Sequence, residues 1–135
     1  MSVTPSQEER GTRPVSLSLP VEGFVDVARL VVGGAASQFT LGFEAIDDIQ
    51  LAVETILRAG LIDGDRATLE LASDSESLAI SIGPIRPAAL DQPIVDAESK
   101  TIDPLALLRQ LVDFAEPRRE PAPVLILRKS LAPSA

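Results

Sequence analysis

The stretch from Phe43 to Leu61, FEAIDDIQLAVETILRAGL, is the clearest amphipathic helix in the chain, and everything else has to pack against it. Ile46, Ile49, Val53, Ile56 and Gly60 recur at three- and four-residue steps, which at 3.6 residues per turn builds one apolar stripe. Asp47, Leu51, Glu54 and Arg58 follow the same spacing on a neighbouring face, so a mostly charged row runs beside the buried one. Asp47 and Asp48 near the start and Arg58 near the end suit the helix dipole. A helix of this kind needs a second apolar layer to cover its stripe.

The flanking segments supply that layer. Val15-Ser-Leu-Ser-Leu19 alternates with period two and reads as a half-buried strand ended by Pro20. Val21 to Phe39 has helical period, with Phe24, Ala28, Val31 and Ala35 as its stripe, widened by Val25, Leu30 and Val32. Gly33 and Gly34 within it each cost about 1 kcal/mol relative to Ala. The expectation is close packing there against the Phe43–Leu61 helix, with a bend as the alternative. Ile62-Asp-Gly-Asp65 is a turn. Arg66–Ala72 and Ser77–Ile82 both alternate, and Ser73–Glu76 joins them as the loop of an antiparallel hairpin. Gly83–Ile102 has no lasting period and reads as a long loop.

Asp103 and Pro104 are an N-cap and first-turn pair for another helix. Its stripe is Leu105, Leu108, Leu111, Val112 and Ala115, and Pro117 stops it. Arg118–Pro123 is a charged turn. Val124–Leu127 is a continuous apolar run read as a buried strand, closed by Arg128 and Lys129. Strands and helices that do not strictly alternate predict an α+β fold, a two-layer sandwich. The sheet is expected to be mixed and mainly antiparallel, with the helices on one face. Residues 15–131 form one domain, between a flexible N-terminal tail (1–14) and a loose C-terminal one (132–135).

Composition excludes several functions. Aromatics are limited to four Phe, so the core must be built from Leu, Ile, Val and Ala. A formal charge of −8, with the cations scattered along the chain, argues against a nucleic-acid platform. With neither His nor Cys, a catalytic triad, thiolate chemistry and the usual zinc sites are excluded. Asp63 and Asp65 lack the further oxygen ligands of a calcium loop, so no metal site is expected. The absence of a spanning apolar run or a signal peptide gives a cytoplasmic expectation, without a membrane partner.

Within the central helix, Asp47-Asp48-x-x-Leu51-Ala52-Val53-Glu54-x-x-x-Arg58-Ala59 resembles the first nucleotide motif of RsbW-like anti-sigma factors. These are serine-protein kinases of the histidine-kinase-like (GHKL) ATPase superfamily. The order of elements also matches that fold over nearly all of Val15 to Leu131. In the family the motif reads Glu-x-x-x-Asn, the Glu acting as base and the Asn holding magnesium. The resemblance therefore makes Glu54 the catalytic candidate if kinase activity holds, with Arg58 in the Asn position. The family's Asp-x-Gly after the hairpin corresponds to Gly83-Pro84-Ile85, which keeps Gly83 as a cofactor-binding candidate but has no Asp for adenine. The family's Gly-rich phosphate segment corresponds to Thr101–Leu105, where Pro104 has no N–H and Asp103 is anionic.

The resemblance implies a regulatory binding protein acting by partner exchange with a sigma factor and an anti-anti-sigma factor. No cofactor is expected. One alternative is an active kinase of the antagonist, using MgATP and Glu54; another is a non-enzymatic dimerisation module, and a homodimer is compatible with all three. Arg29 matches an Arg common in the family's first helix and is the partner-contact candidate, the alternative being an exposed Arg that keeps the helix soluble. Glu54 and Arg58 stand at i and i+4, so an ordinary helix ion pair is expected, with phosphate contact by Arg58 as the alternative.

Overall fold

The computed structural model describes residues 14–22, 25–95, 98 and 100–131. Residues 1–13 and 132–135, expected as tails, lie outside the described residues, as does Phe24. The elements run β1 (Val15–Pro20), α1 (Val25–Ala36), α2 (Phe43–Arg58), β2 (Arg66–Ser73) and β3 (Ser77–Gly83). A 3-10 turn (Pro87–Asp91), β4 (Ile94–Val95), β5 (Thr101–Ile102), α3 (Pro104–Leu111), β6 (Phe114–Arg118) and β7 (Val124–Ser130) follow. β1, β2, β3, β7 and β6 form one sheet in that spatial order, while β4 and β5 form a small separate ribbon.

Every pairing in the five-stranded sheet is antiparallel, so its expected mixed character is not seen. The pleat divides the sheet into two faces. Leu19, Ala67, Leu69, Leu71, Leu78, Ile80, Ile82, Ala115, Leu125 and Leu127 are buried. Between them, Thr68, Glu70, Glu116 and Arg128 are exposed. α1 packs on β1 and α2, α2 packs on β7 and α3, and α3 packs on β6. The chain is thus α+β and compatible with a two-layer sandwich.

Ile49, Ala52, Val53, Ile56 and Leu57 form the buried face of α2. Gly60 does not belong to it. It is exposed, with φ of 72°, directly after the C-cap Ala59, where a left-handed residue ends the helix. α1 is shorter than Val21–Phe39, closing at Ala36, and of its expected stripe Ala28, Val32 and Ala35 are buried while Leu30 and Val31 are exposed. Its two glycines differ. A Cβ on Gly33 would overlap the amide of Gln50, whose Nε2 donates to the Arg29 carbonyl at 2.9 Å, so close packing holds at this position. A Cβ on Gly34 would meet open space. Gly34→Ala should therefore stabilise the protein by about 0.5–1 kcal/mol, as helix propensity dictates, while Gly33→Ala should stabilise it less, because the Gln50 amide must swing aside and give up its bond to the Arg29 carbonyl. Thermal melting of the two variants checks this; equal shifts would remove the close approach from the account.

The last third departs most from expectation. Asp103 caps α3 as anticipated, its Oδ1 accepting from the Leu105 N–H at 3.3 Å. The helix ends at Leu111, however, and Ala115 and Pro117 belong to β6 instead. The apolar spacing carried on across the break because Ala115 also faces the core, from a strand, and Pro117 is tolerated because β6 is an edge. Lys129, largely buried, ties the layers together by donating to Asp48 Oδ2 at 3.1 Å and to the Leu111 carbonyl at 2.8 Å. The Gly83–Ile102 loop is partly ordered by its own bonds. Ile85 bridges to Ile62, Asp63 N–H donates to the Pro84 carbonyl at 2.8 Å, and Arg86 N–H donates to the Leu61 carbonyl at 2.8 Å.

Candidate functional site

The charged row of α2 is where the candidate residues converge. α1 lies alongside α2, and Arg29 reaches across to donate from Nη2 to Asp47 Oδ1 at 2.9 Å. The other end of the same guanidinium stands 4.0 Å from Glu54 Oε1. Arg58, one turn on from Glu54, brings Nη2 to 3.8 Å from that same oxygen. Glu54 is thus flanked by two guanidinium groups and is largely covered, its side chain being 17% exposed against 41% for Arg29 and 60% for Arg58. The i,i+4 ion pair expected from spacing is present. Such pairs at the surface contribute about 0–1 kcal/mol each, so the cluster orients side chains more than it stabilises the fold.

Beyond Arg58 the C-terminal end of α2 meets the segment after β3. The bond from Arg86 N–H to the Leu61 carbonyl draws that segment against the helix end, and the 3-10 turn then runs past it. Between them is an open depression of about 490 Å³, lined by Arg58, Ala59, Arg86, Ala88, Ala89, Gln92 and Pro93. Arg86 also leans on a carboxylate, its Nε lying 3.6 Å from Asp63 Oδ1. The described lining offers guanidinium and amide donors over a floor of small apolar groups. It contains no carboxylate, hydroxyl or thiol that could move a proton or attack a substrate. Its chemistry is that of contact with an anionic or polar surface.

The structure therefore brings Arg29, Glu54 and Arg58 together and places Arg58 at the rim of a recess, but it separates the other candidates from them. Gly83 does not line the depression. It is buried at the end of β3, where a Cβ would stand 2.8 Å from Val124 Cγ1 and 2.9 Å from the Pro123 oxygen. Asp103 spends its carboxylate on capping α3, and Pro104 is buried as the helix's first residue. Arg86 was not among the residues singled out by sequence. Its signal was slight, a lone cation two residues after Pro84 in a segment without period, and its position is set by the Ile62–Ile85 bridge together with the bond from its own N–H to the Leu61 carbonyl.

Among the described residues, no group of three or more Asp, Glu, His or Cys is arranged to hold a metal ion, and no helix is long and apolar enough to cross a membrane. No protein-family model matches the chain, and no curated protein sequence is significantly similar to it.

Proposed function

We propose that the chain is a regulatory binding protein of the anti-sigma type, built on the histidine-kinase-like ATPase fold, whose nucleotide chemistry has been lost. In this reading it acts by partner exchange between a sigma factor and an anti-anti-sigma factor. The observation that carries the proposal is the state of Glu54. The residue that the Asp47–Ala59 resemblance makes a general base is held between Arg29 and Arg58, outside the described lining of the neighbouring depression. A catalytic base has to reach the hydroxyl it deprotonates, and phosphoryl transfer also needs positioned metal and phosphate contacts. At the metal-ligand position stands a cation, Arg58. At the phosphate segment the α3 N-terminus is already capped by the Asp103 carboxylate, which would repel a phosphate.

Arg29 supports the binding half of the proposal. Two of its nitrogens lean on Asp47 and Glu54, yet its side chain is 41% exposed and a guanidinium carries five N–H donors. It can therefore meet a partner's carboxylate without giving up its own. Leu30 and Leu51 add exposed apolar surface on the same two helices.

Calorimetric titration with MgATP should show no saturable binding below the millimolar range. A Kd near 1 µM, about −8 kcal/mol, would overturn the loss of nucleotide chemistry and favour the kinase. Capture assays against individual sigma factors and anti-anti-sigma proteins test the other half. One of each should bind, compete with the other, and bind more weakly to Arg29→Ala. Failure of every such pair to bind would remove the anti-sigma assignment.

A further inference from the structure

On the face of the sheet turned away from the core, the central strand carries only short side chains. β3 presents Ser77, Ala79 and Ser81 there, all half-buried, between β2 on one side and β7 on the other. The result is a hollow of about 280 Å³ with Ala79, Ser81 and Ile126 in its floor. Its walls are charged, and the signs are sorted. Glu70 stands on the β2 side, while Arg118 and Arg128 stand on the β6–β7 side. Glu116, the other acidic residue of β6, lies outside the lining.

These charges are not spent on one another. Antiparallel pairing sets Glu116 opposite Ile126, which makes it diagonal to Arg128 and places it two residues from Arg118. Yet among the described residues Glu70, Glu116 and Arg118 form no ion pair. Arg128 has one, its Nη1 standing 4.0 Å from Asp74 Oδ2. The other oxygen of Asp74 already accepts from the N–H groups of Glu76 and Ser77, so that carboxylate belongs to the turn. Two guanidinium groups thus keep donors for a ligand, across the hollow from a carboxylate that keeps its acceptors.

We propose that this hollow binds short peptides whose two ends are both free. The ligand's carboxylate lies against Arg118 and Arg128, whose guanidinium forks match it, and its ammonium lies against Glu70. Its body rests on Ala79 and Ile126, apolar groups that demand no polar partner. The length follows from the sheet. β2 and β7 are two strand spacings apart, about 10 Å, and an extended chain advances about 3.3–3.6 Å per residue, so about three residues bridge the walls. A single amino acid holds both charges on one residue and cannot reach both sides. The terminus of a folded protein brings only one of the two charges. The hollow shares no residue with the depression at the end of α2, and the proposal is independent of the anti-sigma reading.

Amide chemical shifts of the isotope-labelled full-length chain test it, with the tripeptide Ala-Ala-Ala as the probe. The signals of Ala79, Ser81 and Ile126 should move and saturate with a Kd below about 1 mM. Free alanine should leave them in place. Blocking either end of the tripeptide, by N-acetylation or C-amidation, should weaken binding about tenfold or more. The variants then show which wall reads which end. In Glu70→Gln the acetyl block should cost nothing further, and in R118Q/R128Q the amide block should cost nothing further, because each combination removes a single contact. All three side chains are exposed, so the variants keep the fold, and their spectra show it directly. No saturation in this range, saturation at other residues, alanine binding as well as the tripeptide, or block and variant effects that simply add would each overturn the proposal.

Discussion

Val53→Asp is expected to leave the protein unfolded at neutral pH. Val53 is 2% exposed and lies on the face of α2 made by Ile49, Ala52, Ile56 and Leu57, all of them buried. The substitution removes about 1.5–3 kcal/mol of apolar burial. It also forces a carboxylate either to remain ionised without a partner or to take up a proton far above its ordinary pKa, at a further cost of several kcal/mol. Together these match or exceed much of the 5–15 kcal/mol stability usual for a domain. Leu51→Asp, two residues away on a face that is 38% exposed, should change stability by only about 0.5 kcal/mol. Circular dichroism with thermal melting separates the two. Equal effects would mean that the buried face of α2 lies elsewhere.

That contrast was legible in the sequence because a single helix states its two faces through spacing alone. The β2–β3 hairpin was legible for the same reason, and its Ser73–Glu76 loop has a local cause. Asp74 Oδ1 accepts from the N–H groups of Glu76 at 2.7 Å and Ser77 at 2.8 Å, and these bonds hold its carboxyl below the ordinary pKa. What sequence period could not show was the change from helix to strand at Leu111–Phe114. Leu111, Val112 and Ala115 satisfy helical spacing, yet Asp113 instead accepts from Ser130 N–H at 2.7 Å and starts the return of the chain along β7. That bond joins residues 17 apart, beyond the range of any local pattern.

The candidate site divides in the same way. Glu54 and Arg58 lie one turn apart on one helix, so their ion pair follows from spacing. Arg29 joining them, and Arg86 reaching the end of α2, depend on the approach of separate segments. In each case the approach is fixed by main-chain acceptors, the Arg29 carbonyl taken by Gln50 and the Leu61 carbonyl taken by Arg86 N–H, and those carry no side-chain signature.

Gly83 separates a structural role from a nucleotide role at a position where the sequence allows both. A Cβ there would stand 2.8 Å from Val124 Cγ1, 2.9 Å from the Pro123 oxygen and 3.3 Å from Val124 Cα. Two of these atoms are main chain and cannot rotate aside, and the Pro123 carbonyl is also fixed by accepting from Ile85 N–H at 3.0 Å. Gly83→Ala must therefore spread β3 from the start of β7 and strain the bond that seats Ile85 in the core. The expected cost is about 1–3 kcal/mol, a fall in Tm of roughly 4–12 °C for a chain of this size. Val124→Ala in the same chain removes the Cγ1 contact but not the carbonyl, so the double variant should recover part of the loss, with a coupling of about 0.5–1 kcal/mol. A Gly83→Ala protein as stable as wild type would show that the strands do not approach this closely, and the glycine would then need another reason to be there. If the loss and its partial rescue by Val124→Ala both appear, strand packing accounts for Gly83 without any nucleotide.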